Sequence, residues 1–137
     1  MKSINKIRVR GFHLDMFSHV NNARYLEFLE EGRWVYTYDN EVDLNNLAAM
    51  GLIFNVVNIN INYKRGAVLN DLLRVETVLH SVGNKSAVIK QEIYREGDEE
   101  LIVDAMVTFV FIDTKLGKTV PIDDSFKELW PDLNNFR

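Results

Sequence analysis

The chain has 137 residues, 47% of them apolar and 26% charged, with a formal net charge of −4. That length suits one domain able to bury a core without covalent staples, and the acidic balance excludes a general nucleic-acid binder, which needs a basic face. Cysteine is absent, which excludes disulfides, thiolate metal sites and a cysteine nucleophile and is compatible with a cytoplasmic setting.

Met1 to Phe17 carries charge throughout and contains no apolar run of the signal-peptide kind. No stretch approaches the length of a membrane span. Ile4 to Arg10 reads as a first strand, and Gly11 to Asn22, rich in His, Asp, Ser and Asn, as a loop. A helix follows, capped by Asn21 or Asn22. At about 100° per residue, Tyr25, Phe28, Leu29, Gly32, Val35 and Tyr36 share one broad face, with Leu26 at its edge and Arg24, Glu27 and Glu31 opposite. Such a wide apolar arc predicts a deeply packed helix, with Gly32 admitting a strand at close range. Asp39 and Asn40 end it. Asp43 can cap a shorter helix over Leu44 to Met50, closed by Gly51.

Beyond Gly51 the period changes to two. Val57, Ile59, Ile61 and Tyr63 alternate with Asn58, Asn60, Asn62 and Lys64, the pattern of a half-buried strand. Leu73 to Leu79, Ala87 to Tyr94 and Leu101 to Ile112 continue it, separated by Gly83-Asn84 and Glu96-Gly97-Asp98. Short turns between adjacent strands predict antiparallel hairpins. A terminal helix is expected over Asp123 to Leu129, stopped by Pro131. The fold class is α+β, with a sheet curved around one long helix.

The segment from Phe12 to Glu27 carries the chemistry. Asp15 stands seven residues before Asn22, at a helix start where backbone N–H groups lack intrahelical partners and the dipole is positive. A carbonyl placed there would be polarised, and a nearby carboxylate can serve as base or nucleophile. Caps and turns also use Asp and Asn before helices, so the spacing alone leaves a purely structural reading open.

Asp15, His19-Val20-Asn21-Asn22, Tyr25, Glu30 and Arg33 resemble the 4-hydroxybenzoyl-CoA-thioesterase-like branch of the hotdog superfamily, and within it the bacterial long-chain acyl-CoA thioesterases. Val57 to Tyr63 and Ala67-Val68-Leu69 with Asp71 are similar to the same subgroup, and plant acyl-carrier-protein thioesterases carry a similar Asp-Met to Asn-Asn segment. The resemblance spans roughly Arg8 to Ile112. It implies a five-stranded antiparallel sheet wrapped around a central helix, dimers or tetramers joined through sheet edges, and hydrolysis of an acyl-CoA without a cofactor, CoA being part of the substrate. It implies that Asp15 is the catalytic carboxylate, that the Asn22 backbone N–H meets the thioester carbonyl, that Tyr25 lines the site, and that Lys64 and Arg65 meet CoA phosphates. A proline common in the family is replaced by Gly66 here.

Other candidates weigh less. His13 and His19 flank Asp15, but no third ligand follows at metal-site spacing; His19 is expected to order the loop at the substrate site. Glu30 is a reserve catalytic carboxylate, and Glu30 and Arg33 can pair across one turn. Asn58, Asn60 and Asn62 form either a wet sheet face or a subunit edge. Asp104 belongs on the outer sheet face. The long strand from Phe54 to Tyr63 predicts pairing with a second copy, Asp15 of one subunit facing the strand region of the other. The competing functions are an acyl-carrier-protein thioesterase, a non-hydrolytic acyl-binding protein and a dehydratase using His13 or His19.

Overall fold

Asn21 opens the long helix. Its backbone is extended and its side-chain oxygen accepts the Ala23 N–H at 3.0 Å, so the helix (α1) covers Asn22–Asp39 in the computed structural model, which describes residues 1–136. Tyr25, Phe28, Leu29, Gly32 and Tyr36 are its buried residues, the expected face apart from Val35, which is half-buried. Asp43 caps the short helix Leu44–Ala49 (α2) by accepting the Asn46 N–H. Gly51 follows with φ +76, the left-handed conformation that favours glycine at a helix end.

The strands are Ser3–Arg8 (β1), Leu52–Tyr63 (β2), Leu72–Val82 (β3), Ser86–Arg95 (β4), Leu101–Asp113 (β5) and Lys118–Val120 (β6). Their order is β1-β3-β4-β5-β2, every pairing is antiparallel, and β6 pairs with the end of β5. In β3, β4 and β5 one parity is buried: Leu73, Val75, Thr77 and Leu79, then Ala87, Ile89, Gln91 and Ile93, then Val103 to Phe111 in alternation. That face packs on α1.

Contact is closest at Gly32. A Cβ there would lie 2.7 Å from Val75 Cγ1, 2.8 Å from Thr77 Oγ1 and 2.9 Å from Gln91 Nε2. Buried Gln91 fastens the layers by donating to the Leu29 carbonyl at 2.8 Å and to Thr77 Oγ1 at 3.0 Å. The core divides into a cluster around Tyr25, Phe28 and Leu29 and another around Tyr36.

Four expectations change. The sheet has six strands, because a turn at Gly117 (φ +64) folds Lys118–Val120 back onto β5. The terminal helix is replaced by two 3₁₀ pieces, Asp124–Lys127 and Pro131–Asn135; Pro131 brings no N–H, and the segment instead sinks Phe126, Trp130 and Leu133 into the core. Strand β2 is exposed along nearly all its length, since it is the sheet's last strand and only β5 covers it. Its alternation is broken by a bulge between Val56 and Asn58, so Val57 leaves the inward parity while Phe54, Val56, Ile59, Ile61 and Tyr63 sit opposite inward residues of β5. An extra residue of this kind flips parity on one side of it. The asparagines occupy the outer face, where Asn62 donates to Asp104 at 2.8 Å.

Candidate active site

Leu14 and Val20 form an isolated antiparallel bridge, and the chain between them closes a tight turn. The Asp15 N–H donates to the His19 carbonyl at 2.8 Å, and the Ser18 N–H to the Asp15 carbonyl at 3.1 Å. Ser18 pays for the closure with a left-handed φ of 64°. Met16 and Phe17 are left at the tip, 88% and 72% exposed.

Asp15 is held by one oxygen only. Its Oδ1 accepts the Phe17 N–H at 2.9 Å and the His19 N–H at 3.3 Å, while no described residue donates to Oδ2. A carboxylate anchored in this way has a fixed position and one oxygen free to take a proton or attack carbon.

The turn is sewn to the start of α1. Asn21 donates its N–H to the His13 carbonyl at 2.9 Å, and Val20 donates to the Ala67 carbonyl at 2.9 Å. In the first helical turn the Ala23 N–H is taken by the Asn21 side chain and the Arg24 N–H by the Asn21 carbonyl. The Asn22 N–H has no partner among the described residues. It is a free donor at the positive end of an 18-residue helix, which is what polarising a carbonyl requires.

The remaining sequence candidates fall in different places. His19 is exposed, its ring 3.1 Å from where a Gly66 Cβ would sit; its backbone, not its imidazole, bonds to Asp15. Tyr25 is buried, and its phenol oxygen accepts the Ala67 N–H at 3.1 Å, so it fixes the loop after β2 from inside the core. Burial raises the pKa of that phenol. Glu30 is exposed on α1, eight residues beyond Asn22 and so about 12 Å along the axis. Arg33 makes no ion pair with it; the guanidinium donates to Gln91 Oε1 at 3.1 Å. Lys64 lies 4.0 Å from Asp104, and Arg65 donates to Glu100 at 2.8 Å. Among the described residues no group of three metal-ligating side chains converges, and no helix is long and apolar enough to cross a membrane.

Two features escaped the sequence reading. Tyr63, the last residue of β2, brings its phenol 3.5 Å from the Asn22 carbonyl and its ring 5.7 Å from Tyr25, so β2 ends at the helix start; the signal was its parity with Ile59 and Ile61. The second is a cavity of about 140 Å³ between α1 and the other end of β2, lined by Glu30, Arg33, Trp34, Phe54, Phe109 and Trp130 among others. Tyr25 and Leu29, on the packed face of α1, are buried in the core, and neither lines this cavity.

An antiparallel sheet wrapped around one long helix is the hotdog fold. The chain belongs to the thioesterase-like superfamily, whose family model matches residues 9–129. It is 46% identical to the long-chain acyl-CoA thioesterase FadM of Escherichia coli over 123 residues, 90% of this chain and 92% of that one. Its fold superposes on the probable thioesterase YbaW of Escherichia coli with a TM-score of 0.84 at 44% identity, covering 92% and 94% of the two chains. The 1,4-dihydroxy-2-naphthoyl-CoA thioesterase Slr0204 of Synechocystis superposes equally well, TM-score 0.84, at 18% identity over 98% of each chain, and at that distance the likeness is one of fold.

Proposed function

We propose that this protein is a cytoplasmic enzyme that hydrolyses medium- to long-chain fatty acyl-CoA to free acid and CoA. The observation that carries this is the pairing of Asp15, with its unengaged Oδ2, and the unpartnered Asn22 N–H at the start of α1. The Asn22 N–H donates to the thioester carbonyl oxygen and stabilises the oxyanion as it forms. Asp15 takes a proton from water, whose oxygen adds to the acyl carbon; the C–S bond breaks and the thiolate leaves, taking up that proton as CoA thiol. In the alternative route Asp15 Oδ2 attacks the carbon itself and the mixed anhydride is then hydrolysed. Neither route needs a cofactor. The kinship with FadM, 46% identical, supports a fatty acyl-CoA as the substrate.

One chain does not unite this chemistry with the cavity. Trp34 is twelve residues beyond Asn22, about 18 Å along the axis. The exposed edge of β2 supplies a remedy. A two-fold axis perpendicular to the sheet would pair β2 with β2 of a second copy, antiparallel. The Tyr63 end of each strand, which marks the helix start, would then lie opposite the Phe54 end of the other, which marks the cavity. We therefore assign the protein as a homodimer or dimer of dimers, with Asp15 and Asn22 of one subunit serving the cavity of the other. Light scattering across micromolar concentrations should show no monomer; a stable, active monomer would overturn the assignment.

The catalytic reading is tested by thiol release from acyl-CoAs of increasing chain length, from acyl-carrier-protein thioesters and from a 3-hydroxyacyl-CoA. Asp15→Asn keeps the Oδ1 acceptor and removes charge and base. It should lower kcat at least about a hundredfold, the usual loss of a general base. Activity within a few-fold of the unaltered enzyme would move the role to Glu30 or a histidine.

A further inference from the structure

The cavity between α1 and β2 is apolar over most of its wall, through Val42, Phe54, Val56, Ile89, Phe109 and Trp130. Its polar groups are nearly all spent within the protein. The Tyr36 hydroxyl donates to Asp132 at 2.6 Å and accepts the Trp130 Nε1–H at 3.1 Å. The Thr37 hydroxyl donates to the Trp34 carbonyl at 2.7 Å. That leaves Arg33 and Glu30, and Glu30 is exposed.

Arg33 is set apart from the other cations among the described residues. Arg24, Arg74, Lys90, Arg95 and Lys127 are half-buried as it is, and each has a carboxylate partner. Arg8, Arg10, Lys85, Lys115 and Lys118 have none, but they are exposed and water solvates them. Arg33 is half-buried and has no carboxylate within ion-pair distance among the described residues. Its one printed bond runs from Nη1 to Gln91 Oε1 at 3.1 Å, a neutral acceptor. Gln91 is itself fixed, its Nε2 donating to the Leu29 carbonyl and Thr77 Oγ1, so the guanidinium is oriented from behind. Burial lowers the Arg33 pKa, with Glu30 opposing, yet an arginine stays charged. A desolvated cation with free N–H donors at an apolar cavity calls for an anion, and a guanidinium fork matches a carboxylate oxygen for oxygen. The cavity of about 140 Å³ is smaller than the roughly 300–1,000 Å³ that encloses a whole small ligand. It receives one end of a longer molecule.

We propose that this cavity, through Arg33, binds a carboxylate at the far end of an apolar chain, which makes the preferred substrate the mono-thioester of a long-chain dicarboxylic acid. The substrate assignment rests on the reading of the protein as an acyl-thioester hydrolase whose acyl chain ends in this cavity. Glu30, on the same wall, opposes the incoming charge and keeps the site from closing on free anions that bring no apolar chain.

Two measurements on the full-length protein keep the site and the hydrolase reading apart. The first is calorimetric binding of dodecanoate, below its micellar concentration, against 1-dodecanol, which has the same chain and no charge. Dodecanoate should bind at least about tenfold more tightly. Arg33→Gln should abolish that difference, Arg33→Lys should keep part of it as a point charge, and Glu30→Gln should tighten dodecanoate binding several-fold. The second is thiol release from ω-carboxyacyl-CoAs and plain acyl-CoAs across matched chain lengths. At the best length kcat/KM should favour the ω-carboxy substrate at least about tenfold. Arg33→Gln should reverse the order, lowering KM for the plain chain because a buried cation has left its path. Equal binding of dodecanoate and dodecanol, no ω-carboxy preference at any length, or a folded Arg33→Gln that keeps the preference within twofold would overturn the proposal. The comparisons on the unaltered protein decide it even where Arg33→Gln does not fold. Hydrolysis of plain chains alone would leave the hydrolase reading intact and remove this site. Arg33-dependent dodecanoate binding by a protein that releases thiol from no acyl-CoA would leave the carboxylate site standing and sink the hydrolase reading.

Discussion

The two ends of α1 are built on opposite principles. At its C-terminal end Tyr36 is buried, donates to Asp132 Oδ2 at 2.6 Å and accepts the Trp130 Nε1–H at 3.1 Å. Burial first, and then the bond to Asp132, push that phenol well above its usual pKa, so it stays a neutral donor at any physiological pH. Phe109, Phe111, Phe126 and Trp130 close around it with ring separations of 4.8 to 6.0 Å. At the N-terminal end the contacts are backbone hydrogen bonds in a turn, and Phe12, Met16 and Phe17 face outward. One end buries area, which stabilises the fold. The other uses backbone groups to hold the Asp15 carboxylate and leaves the Asn22 N–H without a partner among the described residues.

The contrast is broken most forcefully at the buried end. Phe126→Ala removes a ring that packs 4.8 Å from Phe111 and lies outside the lining of the cavity between α1 and β2. It should cost about 3–5 kcal/mol, read as a fall in Tm on the order of 10 °C or more, with kcat of the folded fraction unchanged. Asp15→Asn should do the reverse, keeping Tm within about 2 °C, since its side-chain oxygen can still accept the Phe17 and His19 N–H groups and no packed core group is removed. A variant that lost both properties together would show that the two ends are coupled.

The helix was legible in the sequence because its packed face runs through whole turns: Tyr25, Phe28, Leu29, Gly32 and Tyr36 follow the 3.6 period, and each is buried. The placement of Asp15 in a turn next to the helix start at Asn22 was legible because both sit in one short segment. The cavity was not, since Trp34 and Phe54 are brought together only by the packing of α1 against β2 and β5. The bulge at Val57 hid for a different reason. Val56-Val57 is an apolar pair, and pattern alone does not say which of the two turns inward.

Gly32 sharpens the contrast from the middle of α1, between the two clusters. Gly32→Ala would gain helix propensity of up to about 1 kcal/mol but put a methyl within 3 Å of Val75, Thr77 and Gln91. Overpacking of that kind costs about 1–3 kcal/mol. The net should be destabilising, with Tm lower by several degrees. Because the displaced groups include Gln91, which holds both Leu29 and Arg33, the helix should shift, and kcat should drop modestly as well. An unchanged Tm would mean that the layers are looser than the distances imply.

The smallest effect belongs to Lys64 and Arg65, assigned to CoA phosphates by resemblance. Lys64 and Arg65 lie against Asp104 and Glu100, so the patch formed by these four side chains is neutral and draws no dianion from a distance. Its ion pairs are exposed, 66% for the Arg65 side chain, and exposed pairs are worth at most about 1 kcal/mol. A phosphate arriving for other reasons can therefore exchange with Glu100 at little cost, but gains correspondingly little. Lys64→Ala with Arg65→Ala should raise KM for a long-chain acyl-CoA by about two- to threefold, well under the tenfold expected from an unpaired cation, with kcat unchanged. Glu100→Gln with Asp104→Asn should act in the opposite direction, lowering KM by a similar factor, because it uncovers two cations. A tenfold rise from the first pair would place the nucleotide at the end of β2, and a comparison with the corresponding acyl-pantetheine, which has no nucleotide, would then decide between a phosphate contact and a general distortion of the loop that Tyr25 holds through Ala67.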